Sequence, residues 1–210
     1  MKKSKAKTER AALIIVDVQN DFCPGGALPV PDGDKVVAPL NRMIRLFVSN
    51  GLPIFATCDW HPERTKHFAA YGGKWPPHCV KFTSGANFHK DLDVDSAEIL
   101  LKGMGEDEDE KSYSGFGGTN FTGRSLDYLL KSVNIQKLFI GGLATDYCVK
   151  ATVLDALKLG FDVYLLEDAC RAVNIKPTDE ADAITEMTAA GKKTGRGKFK
   201  ITTTKEVLGK

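Results

Sequence analysis

The 210 residues include 29 Lys plus Arg against 27 Asp plus Glu, with 42% apolar and 27% charged side chains, the profile of one ordinary soluble globular domain. A chain near this length buries roughly 70% of the surface it would expose unfolded. The five cysteines, odd in number and without a Cys-x-x-Cys pair, therefore argue against a disulfide framework or zinc ribbon and for a reducing, cytoplasmic setting. The net charge of +2 hides basic ends around a body, residues 11–190, that carries 17 basic against 25 acidic side chains, and a negative body argues against a nucleic-acid-binding face.

Residues 1–10 hold five basic side chains and read as a disordered basic leader. The apolar run that follows, 11–16, is cut by Asp17, too soon for a signal core or a membrane span. Further short apolar runs at 53–57, 99–101, 138–140, 163–166 and 199–202 are continuous rather than alternating, the mark of strands buried on both faces of a parallel sheet. Amphipathic segments lie between them at 35–50, 125–133, 146–159 and 178–190. The third places Val149, Val153, Ala156 and Leu157 on one stripe ahead of Gly160, where a helix stops. Alternating strands and helices predict an α/β fold, a three-layer α/β/α sandwich around a mostly parallel central sheet. Two stretches, 59–90 and 103–121, are too long for plain connections and are expected to be functional loops. The acidic run 106–110 within the second reads as a solvated loop without chemistry.

Ligands of an open parallel sheet bind outside the carboxyl ends of its strands, and the residues there are Asp17, Asp59, Lys102 and the turn Gly141-Gly-Leu-Ala-Thr-Asp-Tyr-Cys148. Cys148 opens a well-patterned helix, whose N-terminal partial charge favours a thiolate. Asp17 emerges at the lip of a hydrophobic strand, where desolvation raises a carboxylate toward use as a base. Lys102 would hold a neighbouring carboxylate ionised. Taken singly, each has a plainer reading: a small core cysteine, a helix cap, a surface charge. In Asp59-Trp-His61-Pro, the acid and the imidazole are i and i+2 and share one side of an extended chain. His61, His67 and His78 fall close together in sequence. Imidazoles with a carboxylate suit zinc, iron or manganese, though loop histidines also serve plain hydrogen bonds.

Together, Asp17-Val-Gln-Asn-Asp-Phe22, Asp59-Trp-His61-Pro62, Trp75-Pro-Pro-His78-Cys79-Val, Lys102 and Gly141 to Cys148 resemble the isochorismatase-like cysteine hydrolases and, within them, the nicotinamidases. The likeness spans nearly everything after the leader, and implies one hydrolase domain over residues 11–210. It implies a catalytic set of Asp17, Lys102 and Cys148, and a cis peptide between Leu143 and Ala144. An oxyanion hole would be built from the amides of Ala144 and Cys148. One divalent metal ion, zinc first with iron or manganese as alternatives, would be held by Asp59, His61 and His78. His67 sits where some relatives place a further histidine ligand. Phe22, Trp75 and Tyr113 match positions lining a pyridine pocket. The implied reaction is hydrolysis of nicotinamide to nicotinate and ammonia in NAD salvage, by a homo-oligomer in the cytoplasm with neither nucleic acid nor membrane as partner. Competing readings are a metal-free relative acting on another small amide or on isochorismate, and a non-enzymatic thiol or metal sensor. Metal content and ammonia release separate them.

Overall fold

The structure, a computed structural model, describes residues 10–107, 110–193 and 197–209. Residues 1–9 of the expected leader, and Glu108 and Asp109 of the acidic run, lie outside the described residues. Six strands, β1 (Ala11–Val16), β2 (Ile54–Asp59), β3 (Glu98–Lys102), β4 (Lys137–Leu143), β5 (Asp162–Arg171) and β6 (Phe199–Thr202), form one sheet in the order β3-β2-β1-β4-β5-β6. Every neighbouring pair is parallel. The helices are α1 (Val37–Ser49), α2 (Leu126–Ser132), α3 (Lys150–Leu159), α4 (Asp179–Lys193) and α5 (Thr204–Leu208).

The all-apolar composition of β1 follows from its central place, with all six side chains buried. Leu13 and Ile15 face one layer, packing with Leu40, Met43, Ile44 and Phe47 of α1 and Val207 of α5. Ala12, Ile14 and Val16 face the other, with Leu126 and Leu130 of α2, Val153 and Leu157 of α3 and Met187 of α4. Each large apolar side chain so buried contributes about 1.5–3 kcal/mol. The expected three-layer sandwich is the observed one. The strand order reverses between β1 and β4, so right-handed crossovers send α1 to one face and α3 and α4 to the other. A crevice opens at the carboxyl ends of those two strands.

Two elements exceed the sequence reading. β5 was expected over 163–166 but continues to Arg171, because its register slips: Ile140 pairs with Leu165, whereas Gly142 pairs with Cys170. The extra stretch carries Glu167 and Asp168, charges that interrupt the apolar run. Asp168 uses its carboxylate to accept the Thr204 N–H at 2.7 Å and the Thr204 hydroxyl at 2.6 Å. It thereby fastens the start of α5, a helix too short to show periodicity but marked by a capping box of Thr203 and Glu206. The five cysteines are all free and buried. Among the described residues no helix is long and apolar enough to cross a membrane.

Candidate active site

The ends of β1, β2, β3 and β4 bring the expected residues together. Asp17 directly follows β1 with φ of 49°, a left-handed conformation uncommon for residues other than glycine. It turns the chain out of the sheet while its carboxylate stays buried. Asp59 and Lys102 are the last residues of β2 and β3 and are register partners. The Lys102 ammonium, 1% exposed, lies 2.9 Å from Asp17 Oδ2 and 2.5 Å from Asp59 Oδ1, and donates to Cys148 Sγ at 3.5 Å. The Thr57 hydroxyl donates to Asp17 Oδ1 at 2.6 Å. That bond leaves Asp17 Oδ2 facing the Lys102 ammonium, the carboxylate oxygen that the Thr57 hydroxyl does not occupy.

One cation between two buried carboxylates sets their protonation. Burial pushes Asp17 above the ordinary carboxylate range, and Lys102 offsets this only in part. Burial also acts to raise Asp59, but Lys102 and the neighbouring histidines outweigh it and hold that carboxyl well below the usual range. For Lys102, burial favours the neutral amine, yet Asp17 and Asp59 prevail and keep it protonated. Desolvation thus acts on Asp17 as the sequence suggests. The expectation that Lys102 holds its neighbours ionised applies fully to Asp59 and only partly to Asp17.

β4 ends at Gly142 and Leu143. Gly142 has φ of 132°, and a Cβ there would lie 2.1 Å from the Val16 carbonyl, so only glycine permits β4 to pass β1 so closely. The Leu143–Ala144 peptide is cis, as the family resemblance implies. Thr145–Val149 then forms a π-helical turn that runs into α3. Cys148 is therefore the fourth residue of a turn continuous with α3, at the opening of the joined helix. Burial pushes its thiol well above the ordinary range, with Lys102 opposing and Asp17 reinforcing. The helix start is thus present, but burial opposes the thiolate that it and Lys102 favour, because desolvation of an anion exceeds what one ammonium returns. Asp146 in the same turn accepts the N–H groups of Val173 and Asn174, both at 2.9 Å, tying the loop after β5 to the nucleophile turn.

Beyond Asp59 lie three buried imidazoles, with ring centroids 4.7 Å apart for His61 and His67, 5.1 Å for His61 and His78, and 5.4 Å for His67 and His78. The fourth histidine, His89, lies elsewhere, near Asp91. His61 Nδ1 donates to the Gly103 carbonyl at 2.9 Å and His78 Nδ1 to the Pro76 carbonyl at 2.8 Å, which turns the Nε2 lone pair of each ring toward the cluster. His61 Nε2 is 3.7 Å from Asp59 Oδ2 and is buried without a hydrogen-bond partner among the described residues. Burial drives His67 down to about 3 and lowers His78, so both rings are neutral, the form that binds metal. Oriented rings, neutral nitrogens and an orphaned buried acceptor are the features of a divalent metal site. Ligand atoms of His61, His67 and His78 all lie within 4.8 Å of one another.

Between the histidines and Cys148 runs a pocket of about 380 Å³, its open mouth included, walled by Phe22, Trp75, Tyr113 and Tyr147 and closed by Leu143 and Ala144. Trp75 Nε1 donates to the Tyr113 hydroxyl at 2.9 Å, and Tyr147 meets both rings edge-on, with centroids at 5.1 and 5.6 Å. The three expected aromatics are thus present. Sequence reasoning gave no role to Tyr147, Asp146 or Thr57, although the first two stand inside the nucleophile motif, where adjacency to Cys148 was the available signal. Of the acidic run, Glu106 and Asp107 are exposed and do not line the pocket, and Asp107 pairs with Lys66 at 2.7 Å.

Comparison with known proteins agrees with this arrangement. Residues 11–197 match the Isochorismatase domain family. Nicotinamidase of Escherichia coli is 43% identical over 196 residues, covering 86% of this chain and 92% of that protein. Among solved structures, the pyrazinamidase of Pyrococcus horikoshii in complex with zinc is 45% identical with a TM-score of 0.78, covering 92% of this chain and 99% of its own. PnC1 from L. infantum, in complex with nicotinate, is 35% identical with a TM-score of 0.75, covering 92% and 95%.

Proposed function

The chain belongs to the isochorismatase family, and on that footing we propose that it is an amidohydrolase converting nicotinamide to nicotinate and ammonia. The observation that carries the reading is the pocket itself. Its lining joins aromatic rings to the Cys148 thiol, which Lys102 links to Asp17, and to His67 and His78 of the three-imidazole cluster.

Asp17 is the general base and acid, Cys148 the nucleophile and Lys102 the charge that holds both in place. Because both thiol and carboxyl are pushed up by burial, the proton leaves Cys148 for Asp17 as the sulfur attacks the carboxamide carbon, so that no stable buried thiolate is needed. The hydrogen bonds of the π-helical turn run from the amides of Tyr147 and Val149 to the Ala144 carbonyl. Neither uses the amide of Ala144 or Cys148, which we assign to the developing oxyanion. Collapse of the tetrahedral adduct breaks the C–N bond, and Asp17 returns its proton to the departing ammonia. Asp17 then draws a proton from water, which cleaves the thioester, releases nicotinate and restores the thiol.

Asp59, His61, His67 and His78 are the residues that would hold a divalent metal, zinc first, with iron or manganese compatible with the same donors. Bound there, the metal supplies a Lewis-acid seat for the pyridine nitrogen and so orients the ring. Phe22, Trp75 and Tyr113 hold the faces and edge of that ring. Production of nicotinate suits a step of NAD salvage, and five free thiols suit a reducing cytoplasm.

Ammonia release from nicotinamide by purified protein, stripped with chelator and restored with zinc, tests the proposal. Release by the zinc-restored protein and its loss in Cys148→Ala are expected. A zinc-loaded protein that frees no ammonia from nicotinamide overturns it.

A further inference from the structure

β1 and β2 pair in parallel only as far as Val16 and Thr57, and the last backbone rung between them is the Asp17 N–H on the Thr57 carbonyl at 3.3 Å. The chain then swings away at the left-handed Asp17. β2 runs two residues further, to Asp59. On the side of β3, the strand end is closed by the Trp60 N–H on the Lys102 carbonyl at 2.9 Å. On the side β1 has left, the N–H and carbonyl of Asp59 face the next rung of a ladder that no strand supplies.

The side-chain amide of Gln19 fills that rung. Its Oε1 accepts the Asp59 N–H at 2.8 Å, and its Nε2 donates to the Asp59 carbonyl at 2.8 Å and to the Ala86 carbonyl at 2.8 Å. The orientation of the amide is not ambiguous, since an N–H can only donate and two carbonyls can only accept. Gln19 is fully buried, and each of its three principal polar contacts is well inside hydrogen-bonding distance. It makes the two bonds that two successive peptides of a continued β1 would make, and a third bond joins the segment around Ala86. Asp59 is thereby gripped on both edges, and its carboxylate is fixed with Oδ1 on Lys102 and Oδ2 toward His61 Nε2.

We propose that Gln19 is a positioning residue of the metal site: its amide replaces the missing strand and sets the backbone of Asp59, and through it the ligand carboxylate. The proposal rests on the reading of Asp59 as a metal ligand. A side chain that orients a ligand in this way is worth about 10–100-fold in metal affinity.

Gln19→Glu is the sharpest variant. It keeps the shape and the acceptor for the Asp59 N–H but sets an oxygen against two carbonyls; Gln19→Met removes both functions. Zinc affinity is measured on chelator-stripped full-length protein by competition with a chromophoric chelator, with circular dichroism and thermal unfolding of the same samples as the check on folding. Folded Gln19→Glu or Gln19→Met is expected to bind zinc at least 10-fold more weakly than the parent, whatever its unfolding temperature. Affinity within twofold of the parent overturns the proposal, because a merely structural amide would lower stability without loosening the metal. A parent that binds no zinc overturns the metal-site reading and this proposal with it, whereas a parent that binds zinc beside an unaffected variant overturns the proposal alone. Should neither variant fold, hydrogen exchange in the parent decides. The Asp59 amide is expected to be as protected as the amides inside β2, and exchange at the rate of an open loop amide refutes the clamp.

Discussion

Lys102 and Asp59 end adjacent strands as register partners, and their side chains meet at 2.5 Å. Because the same ammonium reaches Asp17 at 2.9 Å, one buried cation joins the base we propose for the reaction to a ligand we propose for the metal. The strand register alone places it there: β2 and β3 stop on the same rung, and β1 stops two residues earlier.

Lys102→Met should therefore do more than remove a catalytic charge. Turnover is expected to fall by at least 10³-fold, and the loss of a buried partner should cost about 3–5 kcal/mol. Without the cation, Asp17 is left still further above its unfolded value and Asp59 is held down less strongly. Both changes destabilise the folded chain most above the folded pKa and least once the carboxyl is protonated. The stability deficit should thus be larger at pH 8 than at pH 5, read as the difference in unfolding temperature between metal-free parent and variant. Equal deficits at both values would show that Lys102 carries no such pairing.

How much of this was readable beforehand depends on how local each signal is. Asp17, Asp59 and Lys102 were legible because each interrupts a continuous apolar run, and in a parallel sheet such interruptions gather at one edge. The grip of Thr57 on Asp17 and of Gln19 on Asp59 spans 40 residues in each case and leaves no trace in periodicity. The π-helical turn around Cys148 looks, in residue pattern, like the first turn of α3. The thiol was accordingly expected at a helix end and is found there, within a desolvated wall. The slipped register of β5 hid behind Glu167 and Asp168, which read as the end of a strand and are instead an excursion from it.

The raised Cys148 thiol makes a testable reversal. Burial raises it most, Lys102 lowers it, and Asp17 raises it again, so Asp17→Asn removes a charge that disfavours the thiolate. Hydrolysis should be abolished, since the base is gone. Iodoacetamide labelling of Cys148 at pH 7 should nonetheless proceed at least as fast as in the parent. Peptide mapping after brief exposure reads this directly. Of the five cysteines only Cys148 lines the aromatic pocket, so it should be labelled first and be protected by nicotinate. Slower labelling of Asp17→Asn would mean that Asp17 favours the thiolate in the resting site.

The neutral imidazoles and the orphaned His61 Nε2 predict that the ring nitrogen of the substrate matters as much as its carboxamide. Benzamide, which has the same shape without that nitrogen, should show kcat/KM at least 100-fold below nicotinamide in the zinc-restored protein. Zinc should also raise the unfolding temperature, because it binds the folded state alone. Comparable turnover of the two amides would remove the anchoring role from the histidine cluster.

Asp146 offers a separation of binding from chemistry. Its carboxylate holds the amides of Val173 and Asn174, and Val173 lines the pocket, while Asp146 itself does not. In Asp146→Ala the N–H groups of half-buried Val173 and exposed Asn174 lose a charged acceptor. Each such bond is worth about 1.5–3 kcal/mol, so destabilisation of several kcal/mol is expected, together with a loosened pocket wall. The Val173 side of the pocket acts on ring placement and not on proton transfer, so KM for nicotinamide should rise about 10-fold or more while kcat falls far less. Asp146→Asn keeps one acceptor oxygen and should fall between the parent and Asp146→Ala on both measures. Steady-state kinetics of the two variants at saturating zinc, on samples shown to be folded by near-UV circular dichroism, decide the matter. A fall confined to kcat would mean that Asp146 serves the geometry of Cys148 through the shared π-helical turn, and that the loop after β5 adds nothing to substrate binding.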